Sequence, residues 1–496
     1  MIGSNDSASR GKLATLWGNV TSSFWFIPAL LTLGGVVLSG ITQPLDRIFQ
    51  GSLDRLPTII SGGSEGAGSV LSAISGSLIT VIATVFSLSI VSLTLASGQY
   101  SPRLLPSFVA NRGLQIVLGV YIGTFVYSLI VLRLVSISGG QNSSFNPTIS
   151  VAVAIILALV CVGLLIYFIN HITQLIQSST IVQMAHGDVL GVVSTLNNYE
   201  GDSSEVIGDP SENPQWSDTL SHEPSVIRAR DYGYVQYLNV DAVLKAIVDE
   251  RTSLVEIPLA QGNFVASGLP IVRVWPACGD DFESENGAQV NRCFVLGKER
   301  KFQQDFGFGL RQLSDIALKG LSPSTNDPTT AMQAMDRIED IFISLGSKAL
   351  PLRIQRREVA DRKVLVKVGY PNFEDHVGLA FDQVRRAAFA TGQVAVLERL
   401  LEILDRIARA NTGRERQQAV WARIFTIARL APDQIPDPED ATALMIRAVE
   451  CTYGFTTAER VRIEDDLRKL TDLAEDLESG DRVRRAVEDT RKHVSR

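Results

Sequence analysis

The side chains best suited to contact an ion or a small solute are hydroxyls concentrated in one long apolar stretch. Residues 68–102 contain no Asp, Glu, Lys or Arg and are rich in Ser, Thr, Gly and Ala. Residues three and four apart share a face of a helix, so several hydroxyls fall along one stripe. The stripe comprises Ser77, Thr80, Thr84, Ser87 and Thr94. It would either hydrate a path through a pore built by several subunits or line a close contact between helices.

A second group of side-chain oxygens lies in a predicted turn. Ser322, Thr325, Asn326 and Asp327 fall between two predicted helices. Asp327 precedes Pro328, an order typical of an N-cap followed by proline at the first helical position. The cluster is a candidate contact for a ligand or an ion, and helix capping is the structural alternative.

Other sequence patterns that carry chemistry are absent. There is no G-x-G-x-x-G and no G-x-x-x-x-G-K-[ST] motif for phosphate binding. The five histidines show no spacing typical of metal ligands. No acid–base pair or activated nucleophile can be identified. We therefore expect no enzymatic activity, no metal and no cofactor.

Charge is distributed unevenly along the chain. Residues 1–180 hold seven Lys or Arg and four Asp or Glu, whereas the remainder holds 39 and 49. This segregation favours a part inside the lipid bilayer joined to a water-soluble part. The acidic balance of the soluble part argues against a nucleic-acid partner.

Four uncharged stretches are long enough to cross a bilayer. They should do so as helices, because backbone polar groups in lipid must be satisfied internally. The predicted spans are 23–42, 70–97, 114–136 and 149–172. No Asp or Glu lies in them, so we expect no proton relay. Lys and Arg in the N-terminal segment and in the second loop predict that both termini are cytoplasmic.

The whole sequence predicts a four-helix transmembrane part followed by a cytoplasmic α+β part. The expected divisions are an N-terminal cytoplasmic segment (1–22), a transmembrane domain (23–176), a connecting helix and acidic linker (177–230), a small β barrel or sandwich (231–300) and a mainly helical domain (301–496). Within the last, residues 364–368 are typical of a strand. Residues 397–407 place leucines on one face of a helix.

Several segments together resemble a bacterial family of predicted membrane proteins, domain of unknown function 2254. They include LQIVLGVYIGTFVYSLIVLR, QDFGFGLRQLSDIALKGLSPSTNDPTTA and FDQVRRAA. The S-P-x-x-N-D-P-T-T-A run is the most specific of them. The resemblance implies four spans in a bacterial inner membrane, and it transfers no catalytic residue.

Two functions fit these observations. The first is a homo-oligomeric, channel-like protein for ions or small solutes, in which the second span lines the path and the cytoplasmic part forms a vestibule or gate. The alternative is a membrane-anchored regulatory or scaffolding protein with a cytoplasmic partner. A third, weaker possibility is an enzyme acting at the membrane surface.

Overall fold

The computed structural model describes most of the chain, and the described residues form two compact units that divide after Ile181. The described ranges are 24–49, 63–99, 111–138, 148–175, 177–197, 223–275, 282–300, 305–359, 362–411, 413–452, 457–473 and 480–493. The predicted N-terminal segment (1–22) and residues 201–222 of the predicted linker lie outside them.

Four helices of the first unit are long and apolar enough to cross a membrane. They are α1 (Phe26–Phe49), α2 (Gly63–Gln99), α3 (Arg112–Ser138) and α4 (Thr148–Leu175). The four predicted spans are thus confirmed as helices. Packing within the unit buries 61% of the apolar window of α3 but only 17% to 22% of the windows of the other three. α3 is therefore the central helix, and α1, α2 and α4 turn most of their surface outward.

Glycines allow α1 and α3 to approach each other at backbone distance. A Cβ atom added to Gly123 would lie 2.8 Å from the carbonyl oxygen of Leu31, and one added to Gly35 would overlap the carbonyl of Gly123. Gly119, one turn before Gly123, also faces Leu31. A G-x-x-x-G spacing is typical of close helix contacts in membranes. Here it serves a contact within one chain.

The end of α1 caps the beginning of α4. The carboxylate of Asp46 accepts hydrogen bonds from the backbone N–H groups of Ile149, at 2.7 Å, and Ser150, at 3.1 Å. The first N–H groups of a helix have no partner within the helix and carry partial positive charge, so a carboxylate is favoured there. Asp46 is buried. The predicted span 23–42 contains no acid, but α1 continues past residue 42 and brings the carboxylate of Asp46 into the unit.

Two tyrosines of α3 bond to α4. The Tyr127 hydroxyl donates to the carbonyl oxygen of Ser150 at 3.0 Å, and the Tyr121 hydroxyl donates to that of Cys161 at 2.7 Å. Both tyrosines are buried. A buried hydroxyl is costly unless it is hydrogen-bonded. These two hydroxyls of the central helix thus serve packing inside the unit.

The second unit combines two small sheets with helices. Its strands are β1 (Ser225–Arg228), β2 (Gly233–Leu238), β3 (Leu254–Ile257), β4 (Phe264–Val265), β5 (Pro270–Trp275), β6 (Phe294–Gly297), β7 (Ile354–Val359) and β8 (Arg362–Val368). One sheet has the order β1-β5-β3-β8-β7 and the other β4-β2-β6. β3 and β8 pair in parallel, and every other pair is antiparallel.

The larger sheet joins two segments that are distant in the sequence. β8 aligns Val366 with Val255 of β3, and both side chains are completely buried. The predicted strand at 364–368 is confirmed, and β architecture is confirmed between 231 and 300. The barrel or sandwich arrangement stays a prediction, and the sheet also uses strands from the region expected to be mainly helical.

The helices of the second unit include α9, which begins at the capping residue that the sequence predicts. They are α5 (Ser178–Ser194, which contains the division between the units), α6 (Val240–Ile247), α7 (Phe282–Asn291), α8 (Phe306–Gly320), α9 (Pro328–Leu345), α10 (Phe373–Ala390), α11 (Val394–Ala410), α12 (Arg414–Gln434), α13 (Pro438–Glu450), α14 (Thr457–Leu473) and α15 (Gly480–His493). Asp327 accepts the N–H of Thr330 at 2.9 Å. The predicted leucine face of α11 is buried from Leu397 to Ile407.

The α1–α3 contact predicts opposite effects at two adjacent glycines. Gly35→Ala forces the backbones apart and should lower the free energy of unfolding by about 1–3 kcal/mol. Gly34 faces open space, so Gly34→Ala should raise it by about 0.5–1 kcal/mol through helix propensity alone. Thermal unfolding of the purified protein in detergent measures both. Equal shifts for the two variants would contradict the close contact.

The Asp46 cap predicts a second effect. Asp46→Ala leaves the N–H groups of Ile149 and Ser150 without their acceptor and should cost about 1–3 kcal/mol of stability. Ser136→Ala is the control, because the Ser136 hydroxyl donates to the Leu132 carbonyl within the same helix and is exposed. Melting temperatures in detergent should fall only for the Asp46 variant. Indistinguishable melting temperatures would show that the cap contributes nothing.

Candidate functional site

The five predicted lining residues lie on the outer surface of the first unit. Ser77, Thr80, Thr84, Ser87 and Thr94 are all exposed. They occupy about a third of the circumference of α2 at 3.6 residues per turn. The opposite side of α2 is buried in the unit, at Leu71, Ser75, Leu78, Val85 and Ser92. We call the outer side, defined by the five residues, the hydroxyl face.

Hydroxyl groups of this face donate their hydrogen atoms to carbonyl oxygens of the same helix at Ser77, Thr84 and Thr94. Ser77 donates to the carbonyl oxygen of Ile74 at 2.9 Å, Thr84 to that of Thr80 at 3.0 Å and Thr94 to that of Ile90 at 2.9 Å. Such bonds are common for Ser and Thr within helices. They leave the oxygen lone pairs directed away from the helix as acceptors. The hydroxyl face can therefore accept hydrogen bonds from water or attract a cation, but it carries no fixed charge.

The exposed sides of the neighbouring helices differ from the hydroxyl face. The exposed side chains of α4 are mostly large and aliphatic: Ile156, Leu159, Val160, Val162, Ile166 and Ile169. Those of α1 follow the same pattern: Leu30, Leu33, Val36, Val37 and Ile41. Acyl chains suit such surfaces, whereas small residues and hydroxyls are typical of protein contacts in membranes. α2 also exposes large apolar side chains, among them Phe86, Leu88, Ile90, Val91 and Leu95. It differs from α1 and α4 in the row of hydroxyls that lies beside them.

The turn at Ser322–Asp327 is held together by its own polar groups. The Ser322 hydroxyl donates to the Lys319 carbonyl at 2.8 Å and lies 3.2 Å from the Thr325 hydroxyl. Asn326 has a φ of +46°, a conformation that Asn tolerates better than most residues. Its side-chain oxygen accepts from Gln393 at 3.1 Å. A hydrogen bond therefore joins the turn to Gln393, the residue that precedes α11.

Asp327 is engaged as a helix cap. Its carboxylate accepts the side-chain hydroxyl of Thr330 at 2.6 Å as well as the Thr330 N–H. These bonds lower the pKa of Asp327 below its ordinary value, with the Thr330 side chain as the largest cause. Across the described residues, no group of His, Cys, Asp and Glu has a metal-binding arrangement. The observed contacts match the capping alternative, and the ligand or ion contact stays a prediction.

An ion pair at the start of α8 was not anticipated. Asp305 caps α8 by accepting the Phe308 N–H at 2.9 Å, and the Arg300 guanidinium lies 2.6 Å from its carboxylate. Burial raises the pKa of Asp305, while Arg300 acts in the opposite direction. Gly262, with φ of +85°, packs directly against both side chains. The sequence indicates that Asp305 caps a helix. No local pattern, however, connects Asp305 with the turn at Gly262, some forty residues earlier.

Comparison with known proteins agrees with this architecture. A family described as predicted membrane protein (DUF2254) matches residues 21–406. An uncharacterized protein of Mycobacterium bovis and one of Mycobacterium tuberculosis (strain H37Rv) are each 30% identical over 435 residues, covering 86% of this chain and 80% of the relative. No solved structure matches the chain. The family resemblance is confirmed, and the chain belongs to the predicted membrane proteins of family DUF2254.

Proposed function

We propose that this protein forms a homo-oligomeric, channel-like pathway for ions or small solutes in a bacterial inner membrane. The observation that supports the proposal is the outward position of the hydroxyl face of α2. In this arrangement α2 of each copy lines a central path, while the aliphatic outer sides of α1 and α4 contact lipid. Several copies are required, because the hydroxyl face lies on the surface of a single unit.

The chemistry of the face fits a hydrated path better than a binding site. Neutral hydroxyl oxygens along several helical turns replace part of the hydration shell of a passing solute without holding it tightly. They also lack the fixed charge that would select strongly for anions or cations. The expected pathway therefore discriminates by size more than by charge.

The second unit would act as a vestibule or gate on the cytoplasmic side. This side follows from the positively charged residues of the N-terminal segment and the second loop. The acidic linker then connects the spans to the sheets and helices. We propose that both termini lie in the cytoplasm.

One observation favours the alternative, a membrane anchor for a regulatory or scaffolding protein. The exposed side of α2 also carries Ala73 and Gly76, and a Cβ atom added to Gly76 would meet nothing within 4 Å in the single chain. Small residues at such positions permit close helix pairing without any cavity. In this case α2 would pair with α2 of a second copy and no solute would pass.

The first prediction of the channel proposal concerns conduction. Purified protein in liposomes should pass ions or small solutes, and Thr84→Trp or Ser87→Trp should reduce the flux at least about tenfold by obstructing the path. Leu159→Trp on the exposed side of α4 is the matched control and should conduct like the wild type. Absence of any flux through the wild-type protein would refute the proposal, as would an equal reduction by the control.

A second prediction concerns subunit number. A central path lined by α2 requires at least about three copies around an axis, because two helices cannot enclose a cavity. Light scattering with correction for detergent, or native mass spectrometry, would count the copies. A stable ring of three or more copies is expected. A monomer, or a dimer paired through α2, would favour the anchor.

A further inference from the structure

A groove between α10 and α12 has a buried arginine among the residues that line it. The groove has a volume of about 620 Å³ and is lined by Arg385, Arg386, Phe389, Ala390, Leu430 and Gln434. Arg385 is 9% exposed and Phe389 is 5% exposed, whereas Arg386 and Gln434 are exposed at the rim. The groove lies in the second unit and is independent of the path proposed through the membrane.

The guanidinium of Arg385 lacks the partners that a buried arginine normally has. Its Nε atom is buried and has no hydrogen-bond partner among the described residues. Arg416 shows the usual solution in the same unit: it is 7% exposed and donates to the carbonyl oxygens of Leu345 at 3.0 Å and Lys348 at 2.8 Å. A buried charge without a partner is costly. Arg385 therefore differs from an arginine that serves only the fold.

The surrounding charges compensate Arg385 only in part. Burial lowers the pKa of Arg385, and the nearby Arg386, Arg423 and Arg429 lower it further, while Asp382 opposes them. Asp382 lies 3.6 Å from Arg423, which also pairs with Glu374 at 3.0 Å. Both acids are thus bound to one arginine of the cluster. The groove is an electropositive site in which an external anion would have a favourable position.

The shape and donors of the groove indicate the class of anion. Guanidinium groups offer several N–H donors in a planar fork that matches the oxygens of a phosphoryl group. Phe389, Ala390 and Leu430 supply an apolar wall beside them. We propose that this groove binds a phosphoryl group on Arg385 and the rim arginine Arg386, with the apolar part of the same ligand resting on Phe389 and Leu430.

Such a ligand is either a soluble phosphate ester or a lipid headgroup, and binding to the purified full-length protein in detergent distinguishes them. The probes are inorganic phosphate, adenosine 5′-monophosphate and dioctanoyl phosphatidic acid, with adenosine and dioctanoylglycerol as uncharged controls. Isothermal titration should show that one of the two organic phosphates binds at least about tenfold more tightly than inorganic phosphate. The probe that binds more tightly shows whether the ligand is a soluble phosphate ester or a lipid headgroup.

Variants test the assignment to residues. Arg385→Gln should weaken binding at least about tenfold, and Arg386→Gln, at an exposed position, should weaken it without affecting folding. Arg447→Gln is the matched control, because Arg447 pairs with Glu402 and Glu450 at 3.0 and 3.1 Å away from the groove lining; its affinity should equal that of the wild type.

The melting temperature distinguishes an arginine that binds a ligand from one that only stabilises the fold. Arg385→Met removes a buried charge that the protein compensates only in part, so the melting temperature without added anion should stay constant or rise. The stabilisation by the probe should disappear. The proposal is overturned if the wild type binds none of the probes at millimolar concentration. It is equally overturned if Arg385→Gln and Arg386→Gln bind like the wild type, if inorganic phosphate binds as tightly as both organic probes, or if Arg385→Met unfolds at a clearly lower temperature.

Discussion

Every polar group of a helix in hydrocarbon must find a partner inside the helix or on a neighbour, and α2 carries more hydroxyls than its packing uses. Ser77, Thr84 and Thr94 satisfy their hydrogen atoms on the preceding turn, yet their oxygens remain on the outer surface. The two buried tyrosines of α3, by contrast, donate to carbonyl groups of α4. This difference between buried tyrosines bonded to a neighbouring helix and hydroxyls exposed on a peripheral helix leads to the proposal of an oligomer.

The same reasoning about partners distinguishes structural from functional groups elsewhere. Asp46, Asp305 and Asp327 are carboxylates at helix N-termini, and all three accept the N–H groups that such positions leave open. These three carboxylates therefore stabilise the fold as helix caps. Arg385 is the contrasting case, since its buried Nε atom has no acceptor in the described part of the chain, and this is the observation behind the proposed phosphoryl site.

The sequence predicts the features that depend on local spacing. The length of the uncharged stretches identifies the four helices of the first unit. The pair Asp327-Pro328 identifies the start of α9, and the spacing of the leucines identifies the buried face of α11. It does not predict contacts between distant segments. The parallel pairing of β3 with β8 and the capping of α4 by Asp46 join residues about a hundred positions apart. The G-x-x-x-G spacing at 119–123 was available as a signal, but only the structure shows that its partner is α1.

The most direct test of the central claim is the environment of the hydroxyl face in a bilayer. Spin labels attached at single cysteines replacing Ser77, Thr84 and Ser87 would be compared with labels at Leu159 and Ile166 on the exposed side of α4. The account predicts that labels on α2 are accessible to a water-soluble relaxation agent, or shielded by protein, and that labels on α4 are accessible to oxygen dissolved in lipid. Equal, high oxygen accessibility on both helices would place the hydroxyl face among acyl chains and contradict it.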